Sequence, residues 1–185
     1  NLMKKNKIGV MQGRLLPKFQ GLYQAHPVGY WQKEFEIAKD IGLDCIEFIL
    51  DYKDAEQNPL LIKSGVEEIL KTKERTTVSV DSICADYFME APLHDKDESV
   101  ATKSKEVLKK LITTSSELGI NDIVIPCVDQ SSLHKEEEVN RFVKQIRSIL
   151  PEVERHKVCL SLETDLPPQP FMDLLSKFDS DRITV

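Results

Sequence analysis

Val158-Cys159-Leu160-Ser161-Leu162-Glu163 is an apolar run ended by a single carboxylate, and it opens a unit that the chain repeats. Pro167-Pro168-Gln169-Pro170 makes a stiff bend, and Pro170 suits the first turn of a helix. Phe171, Leu174, Leu175 and Phe178 then recur at helical spacing, before Arg182-Ile183-Thr184-Val185 reads as the next strand. Strand, helix and strand in this order are the unit of a parallel sheet with helices on its faces. The last strand lacks the helix that would cover one of its faces, so the pattern is that of an unfinished barrel.

The same unit recurs toward the N-terminus. Strand one is read over Lys7–Met11, with a long polar, glycine-bearing connection from Gln12 to Tyr30 behind it. A helix over about 31–41 aligns Trp31, Phe35, Ala38 and Ile41, and Gly42 supplies the left-handed stop. Strand two, Cys45–Leu50, sends Ile46, Phe48 and Leu50 one way and Glu47, Ile49 and Asp51 the other, which puts acid near its carboxyl end. Ser64-Gly65-Val66-Glu67 fits a capping box for the second helix, whose apolar stripe is Val66, Ile69 and Leu70. Strand three is read from Thr77 to Cys84, and the third helix from Val100 to Leu118, stopped by Gly119. Strand four is the apolar run 122–128, and the fourth helix spans about 136–155, where Pro151 is expected to kink or interrupt it. Strand starts recur roughly every 35 residues, so eight repeats need on the order of 280. The expected fold class is therefore α/β, a (β/α)8 TIM-barrel type with about the first six strands and five helices present. Residues 1–185 carry no linker or composition break, which predicts a single domain, the N-terminal part of the barrel.

Lys plus Arg number 25 and Asp plus Glu 31, a net charge of −6 that repels phosphate backbones and argues against nucleic acid as a partner. The basic start Asn1-Leu2-Met3-Lys4-Lys5-Asn6-Lys7 is followed by too short an apolar run for a leader or a membrane span, which predicts a cytoplasmic protein with no membrane partner. Asn1-Leu2 ahead of Met3 reads as an expression remnant. Cys45, Cys84, Cys127 and Cys159 fall one on each of four successive strands with no Cys-x-x-Cys pair, and are read as reduced core residues.

Glu163 is the leading candidate for chemistry. A carboxylate ending an apolar strand sits at a barrel mouth, partly desolvated, where it binds a hard cation or moves a proton. By alternation it shares a face with Cys159 and Ser161. Gln12 and Arg14 follow strand one, Glu47 lies on strand two, and Asp86 and Asp129 each follow a strand; these five are the candidate substrate-binding residues. Each also has a plainer reading: Arg14 as a solvated loop residue, Glu47 in a salt bridge, the aspartates as turn caps. His26 and His94 fall in loops on the same side, His134 at the entry of the fourth helix and His156 on the opposite face, with no second histidine at metal-ligand spacing. Tyr23 and Tyr30 are candidates to stack on a sugar ring, and Trp31 at helical spacing reads as core.

Three stretches together resemble the xylose-isomerase-like sugar phosphate isomerases and epimerases. They are Ile8-Gly9-Val10-Met11-Gln12-Gly13-Arg14-Leu15-Leu16-Pro17, Gly42-Leu43-Asp44-Cys45-Ile46-Glu47-Phe48 and Leu160-Ser161-Leu162-Glu163-Thr164. The resemblance covers the whole chain and implies a metal-dependent sugar or sugar phosphate isomerase or epimerase, acting on a small carbohydrate by proton transfer at the carbon next to a carbonyl. It implies that Glu163 is both a metal ligand and one of two glutamates that pass the proton. The divalent ion would be manganese, magnesium, cobalt or zinc. Its remaining ligands, an acid after strand six, a histidine after strand seven and a glutamate on strand eight, are expected beyond Val185. One carboxylate holds a catalytic metal poorly, so these residues alone are expected to make a poor enzyme.

Three other readings stand beside this one. An incomplete barrel offers open strand edges, which suits a non-catalytic binding or assembly module or a homo-oligomer. An endonuclease of the same superfamily would hold several zinc ions on many histidines, and the chain has only four. A complete doubly wound sheet would announce itself by a glycine-rich phosphate loop after strand one, and none follows.

Overall fold

The computed structural model describes residues 6–185, so the reading of Asn1-Leu2 lies outside the described residues. Six parallel strands form one sheet in the order β1 (Gly9–Met11), β2 (Cys45–Ile49), β3 (Ser82–Cys84), β4 (Asp122–Cys127), β5 (Cys159–Thr164) and β6 (Ile183–Thr184). Each strand lies beside its sequence neighbour, and every connection is a crossover. That winding is the one of a barrel; a doubly wound sheet reverses its order at a switch point, which removes the third alternative.

The crossovers carry α1 (Gln32–Asp40), α2 (Lys63–Thr76), α3 (Tyr87–Glu90), α4 (Glu98–Leu118), α5 (Glu136–His156) and α6 (Pro168–Leu175). The core lies between the sheet and these helices. Phe48 of β2 is fully buried against the rings of Trp31 and Phe35 at the start of α1, with centroids 5.5 and 6.3 Å away. Further along, Leu108, Leu111 and Ile112 of α4 and Phe142, Ile146 and Ile149 of α5 cover Ile123, Ile125, Leu160 and Leu162. The other sheet face is concave and mixes apolar with polar side chains. Register aligns Ile49, Cys84, Val124, Ser161 and Thr184 across it, with Pro126 and Glu163 paired one row higher.

Several element boundaries differ from the sequence reading. No capping box forms at Ser64: α2 begins at Lys63, extended Ile62 precedes it, and no side chain caps it. Packing sets that helix entry, because Gly65 lies so close to the 3₁₀ turn Pro59–Leu61 that a Cβ there would meet Pro59 Cα at 2.4 Å. Strand three is shorter than read. α2 runs on to Thr76, Thr77 ends it in the left-handed region, and Ser79 makes only an isolated bridge to Cys45 before β3 starts at Ser82. Pro151 does not interrupt α5. It is exposed, as is Arg147 four residues earlier, so the carbonyl left without an amide partner sits on the side open to solvent. α4 starts at Glu98 because Asp97 caps it, accepting from the Ser99 amide at 2.9 Å. α3 is a single turn just after β3, and α6 begins at Pro168 with Phe178 beyond its end. The four cysteines sit on β2 to β5; Cys84 and Cys127 are buried, as a core reading requires, whereas Cys45 and Cys159 are only half-buried. Among the described residues no helix is long and apolar enough to cross a membrane.

Candidate active site at the carboxyl ends of the strands

The connection after β1 is fastened from beneath by buried polar side chains. Glu34 of α1 is 0% exposed and accepts the Gly13 amide at 2.8 Å and the Leu15 amide at 3.0 Å. Burial pushes its carboxyl pKa up, against the opposing pull of those amides. Gly13 is required where the loop doubles back: its φ is +91°, and a Cβ would meet the Tyr23 carbonyl oxygen at 2.3 Å. The side chain of Gln12 is 0% exposed; its Oε1 accepts the Ile49 amide at 2.9 Å and lies 3.1 Å from His26 Nδ1. An oxygen facing both groups assigns the histidine proton to Nδ1 and leaves Nε2 a bare acceptor, and that atom has no partner among the described residues. The His26 ring packs on Phe48 with centroids 5.3 Å apart, and its burial lowers the pKa to about 3. Asp51, just past β2, accepts the His26 backbone amide at 2.8 Å; burial raises its pKa, and Asp86 adds to the rise.

Asp86 follows β3. One oxygen accepts from the Cys84 thiol and the other from the Gln24 amide, each at 3.2 Å. Asp51 and Asp86 thereby share the wall of a cavity of about 260 Å3 with Gln24, His26, Tyr52 and Glu90, at the carboxyl ends of β1 to β3. This is the mouth side of the barrel, where such folds place their chemistry.

The other sequence candidates scatter. Gln12 fastens the loop in the interior and offers no open surface. Arg14 is exposed and stands outside the cavity wall. Glu47 lies below the mouth, in register with Met11, and accepts the Ser82 hydroxyl at 2.5 Å. Asp129 is exposed in the left-handed region at φ +51°, opening a 3₁₀ turn, and its neighbour Gln130 reaches the cavity instead. His94 is buried edge-on against Phe142 and belongs to the core, while His134 does stand at the entry of α5. Tyr23 is exposed under the Lys18 ammonium, 4.6 Å from its ring centroid, and Trp31 is core as read.

Glu163 lies on the concave face at the end of β5, exposed and paired in register with Pro126, with no hydrogen bond or ion pair among the described residues. Beneath it runs a polar rung that the sequence reading did not single out. Ser161 Oγ lies 2.8 Å from both Asp122 oxygens and 2.8 Å from Thr184 Oγ1, joining β4, β5 and β6. Burial pushes the Asp122 carboxyl up, while the serine opposes that shift. Beside Glu163, Asp165 accepts from Ser132 Oγ at 2.5 Å and stands 3.4 Å from His134 Nε2, which ties the β4–α5 and β5–α6 connections together. The hydroxyl bond, followed by the nearby His134, holds Asp165 below the usual carboxylate range. Among the described residues no three His, Cys, Asp or Glu side chains group closely enough to hold a metal ion. Glu34 was legible in principle, since it stands three residues after Trp31 on the helix face that also carries Phe35 and Ala38; an acid on an apolar stripe signals a buried acceptor role.

The comparisons agree with this fold. A relative from Salmonella heidelberg, L-ribulose-5-phosphate 3-epimerase, is 27% identical over 168 residues, covering 85% of this chain and 56% of its own length. The crystal structure of D-psicose 3-epimerase in the presence of D-fructose superposes with a TM-score of 0.72 at 13% identity, over 96% of this chain and 62% of that one. A xylose isomerase-like TIM barrel protein from Mycobacterium smegmatis in complex with magnesium gives 0.69 at 16% identity, over 96% and 62%. The chain thus spans a little over half the length of the curated relatives it matches. The family described as xylose isomerase-like TIM barrel matches residues 35–185, and with six parallel strands wound in sequence order the chain belongs to that family, as part of its barrel.

Proposed function

We propose that this chain is the N-terminal portion of a sugar epimerase or isomerase, single-domain over residues 1–185, in which Glu163 moves the proton at the carbon beside a substrate carbonyl. The observation that carries the reading is the placement of Glu163 at the carboxyl end of β5, on the concave face, unpaired and next to the anchored Asp165. The carboxylate takes the proton, and the electrons of the broken C–H bond become the double bond of an enediolate. When the proton leaves C3 of a ketose, return of a proton to the opposite face of that carbon gives the 3-epimer; when it leaves C1, return of a proton to C2 gives the aldose. The names of the relatives, epimerases of L-ribulose 5-phosphate and D-psicose, support a ketose as substrate.

The magnesium of the Mycobacterium smegmatis protein supports a divalent cation in the family. The described residues do not by themselves make such a site, and among them the proton transfer falls to the carboxylate. Any cation ligands that join Glu163 would come from outside these residues.

The test is deuterium incorporation from solvent into a ketose by the protein with its complete barrel and added Mn2+. Glu163→Gln is expected to slow exchange by about 10²-fold or more, the usual contribution of a positioned base. Exchange at the wild-type rate would remove Glu163 from the chemistry.

A further inference from the structure

We propose that the cavity beneath the β1–α1 connection receives an uncharged polyol segment of a sugar and turns away a phosphate. This rests on the sugar-directed reading above, and it concerns a different part of the barrel rim from Glu163.

Charge comes first. Among the described residues the wall carries Asp51, Asp54, Asp86 and Glu90 against a single cation, Lys53, whose ammonium donates to Gln20 Oε1 at 2.7 Å. Asp51 and Asp86 already repel one another. A phosphate would add its own negative charge to this group, with no arginine fork to receive it.

Hydrogen bonding points the same way. The carboxylates offer mainly acceptor capacity, and the Gln24 amide nitrogen is already spent on Asp86. His26, 2% exposed, lies in the same wall, and its Nε2, itself buried and without a partner, adds no donor there. These groups call for donors. Sugar hydroxyls each donate, whereas an ionised phosphate offers mostly acceptors.

Shape favours a polyol over a bare cation. Phe19, Leu22, Val28 and Met89 line the remaining wall and suit the C–H face of a sugar. The volume, about 260 Å3, falls just below the roughly 300–1,000 Å3 of sites for larger ligands.

The experiment follows the backbone amide signals of Ala25, Tyr52 and Glu90 in the complete protein during titration with D-fructose, inorganic phosphate or ethanolammonium. D-fructose is expected to shift them at lower concentration than either other probe. The double variant Asp54→Asn, Glu90→Gln leaves the Asp51–His26 and Cys84–Asp86 bonds intact, and asparagine tolerates the left-handed backbone of residue 54. In it, phosphate affinity should rise by about threefold or more as repulsion falls. Phosphate binding as tightly as fructose, tighter binding of ethanolammonium, absence of any shift, or unchanged phosphate affinity in the variant would each overturn the inference. The Glu163 exchange measurement reads the proton-transfer assignment independently, so the two failures are distinguishable.

Discussion

At the scale of single residues, burial of polar groups around the β1–α1 connection makes stability depend on pH in a separable way. His26 has its pKa lowered from 6.5 to about 3 by burial, so the unfolded chain takes up a proton first as pH falls. Its contribution is complete above about pH 6.5 and is lost toward pH 3, at up to about 1.4 kcal/mol per pH unit. His94, also lowered by burial, acts in the same direction. Glu34, Asp51 and Asp122 are raised and act oppositely: their share is complete below the ordinary carboxylate range and lost as pH rises past their elevated values. Urea unfolding of His26→Gln between pH 6.5 and 4 should therefore show a shallower acid loss than wild type; parallel curves would refute the assignment. Glu34→Ala strands the Gly13 and Leu15 amides and should cost about 2–3 kcal/mol in the same measurement. Alternation along β5 made the facing of Glu163 legible in the sequence. The interior position of Gln12 was not, because it depends on the Ile49 amide of another strand lacking an acceptor until the loop folds over it.

At the scale of elements, helix existence was legible from apolar spacing, whereas ends decided by packing were not. Ser64 is the clearest case: the local pattern of a capping box was present, but Gly65 against Pro59 moved the helix start upstream. Two substitutions separate these effects by thermal or urea unfolding. Ser64→Ala should change stability by less than about 0.5 kcal/mol, since no capping bond is lost. Gly65→Ala should destabilise by about 1–3 kcal/mol despite alanine's better helix propensity, because the added methyl meets backbone atoms of the Pro59 turn. A stabilised Gly65→Ala would show that the turn yields easily. Thr77 illustrates the same limit: read as the first residue of strand three, it instead closes α2 in the left-handed region.

At the scale of the whole molecule, the repeat of strand and helix predicted the winding, and sequential strand order follows from it. The cavity could not be read, since its wall draws on four connections far apart in the chain. The strands are not equally secured. β4 and β5 pair from Asp122–Cys159 through Cys127–Thr164, whereas β6 joins only at Leu160–Ile183 and Ser161–Thr184. Amide hydrogen exchange should accordingly be slowest at Ile123, Ile125, Leu160 and Leu162 and faster at the amides of β1 and β6. Uniform protection over all six strands would contradict that ranking. The buried clasps of Gln12, His26 and Glu34 have a last consequence. A guest of the kind proposed above would meet a receptor already set, so little conformational freedom would be surrendered on docking.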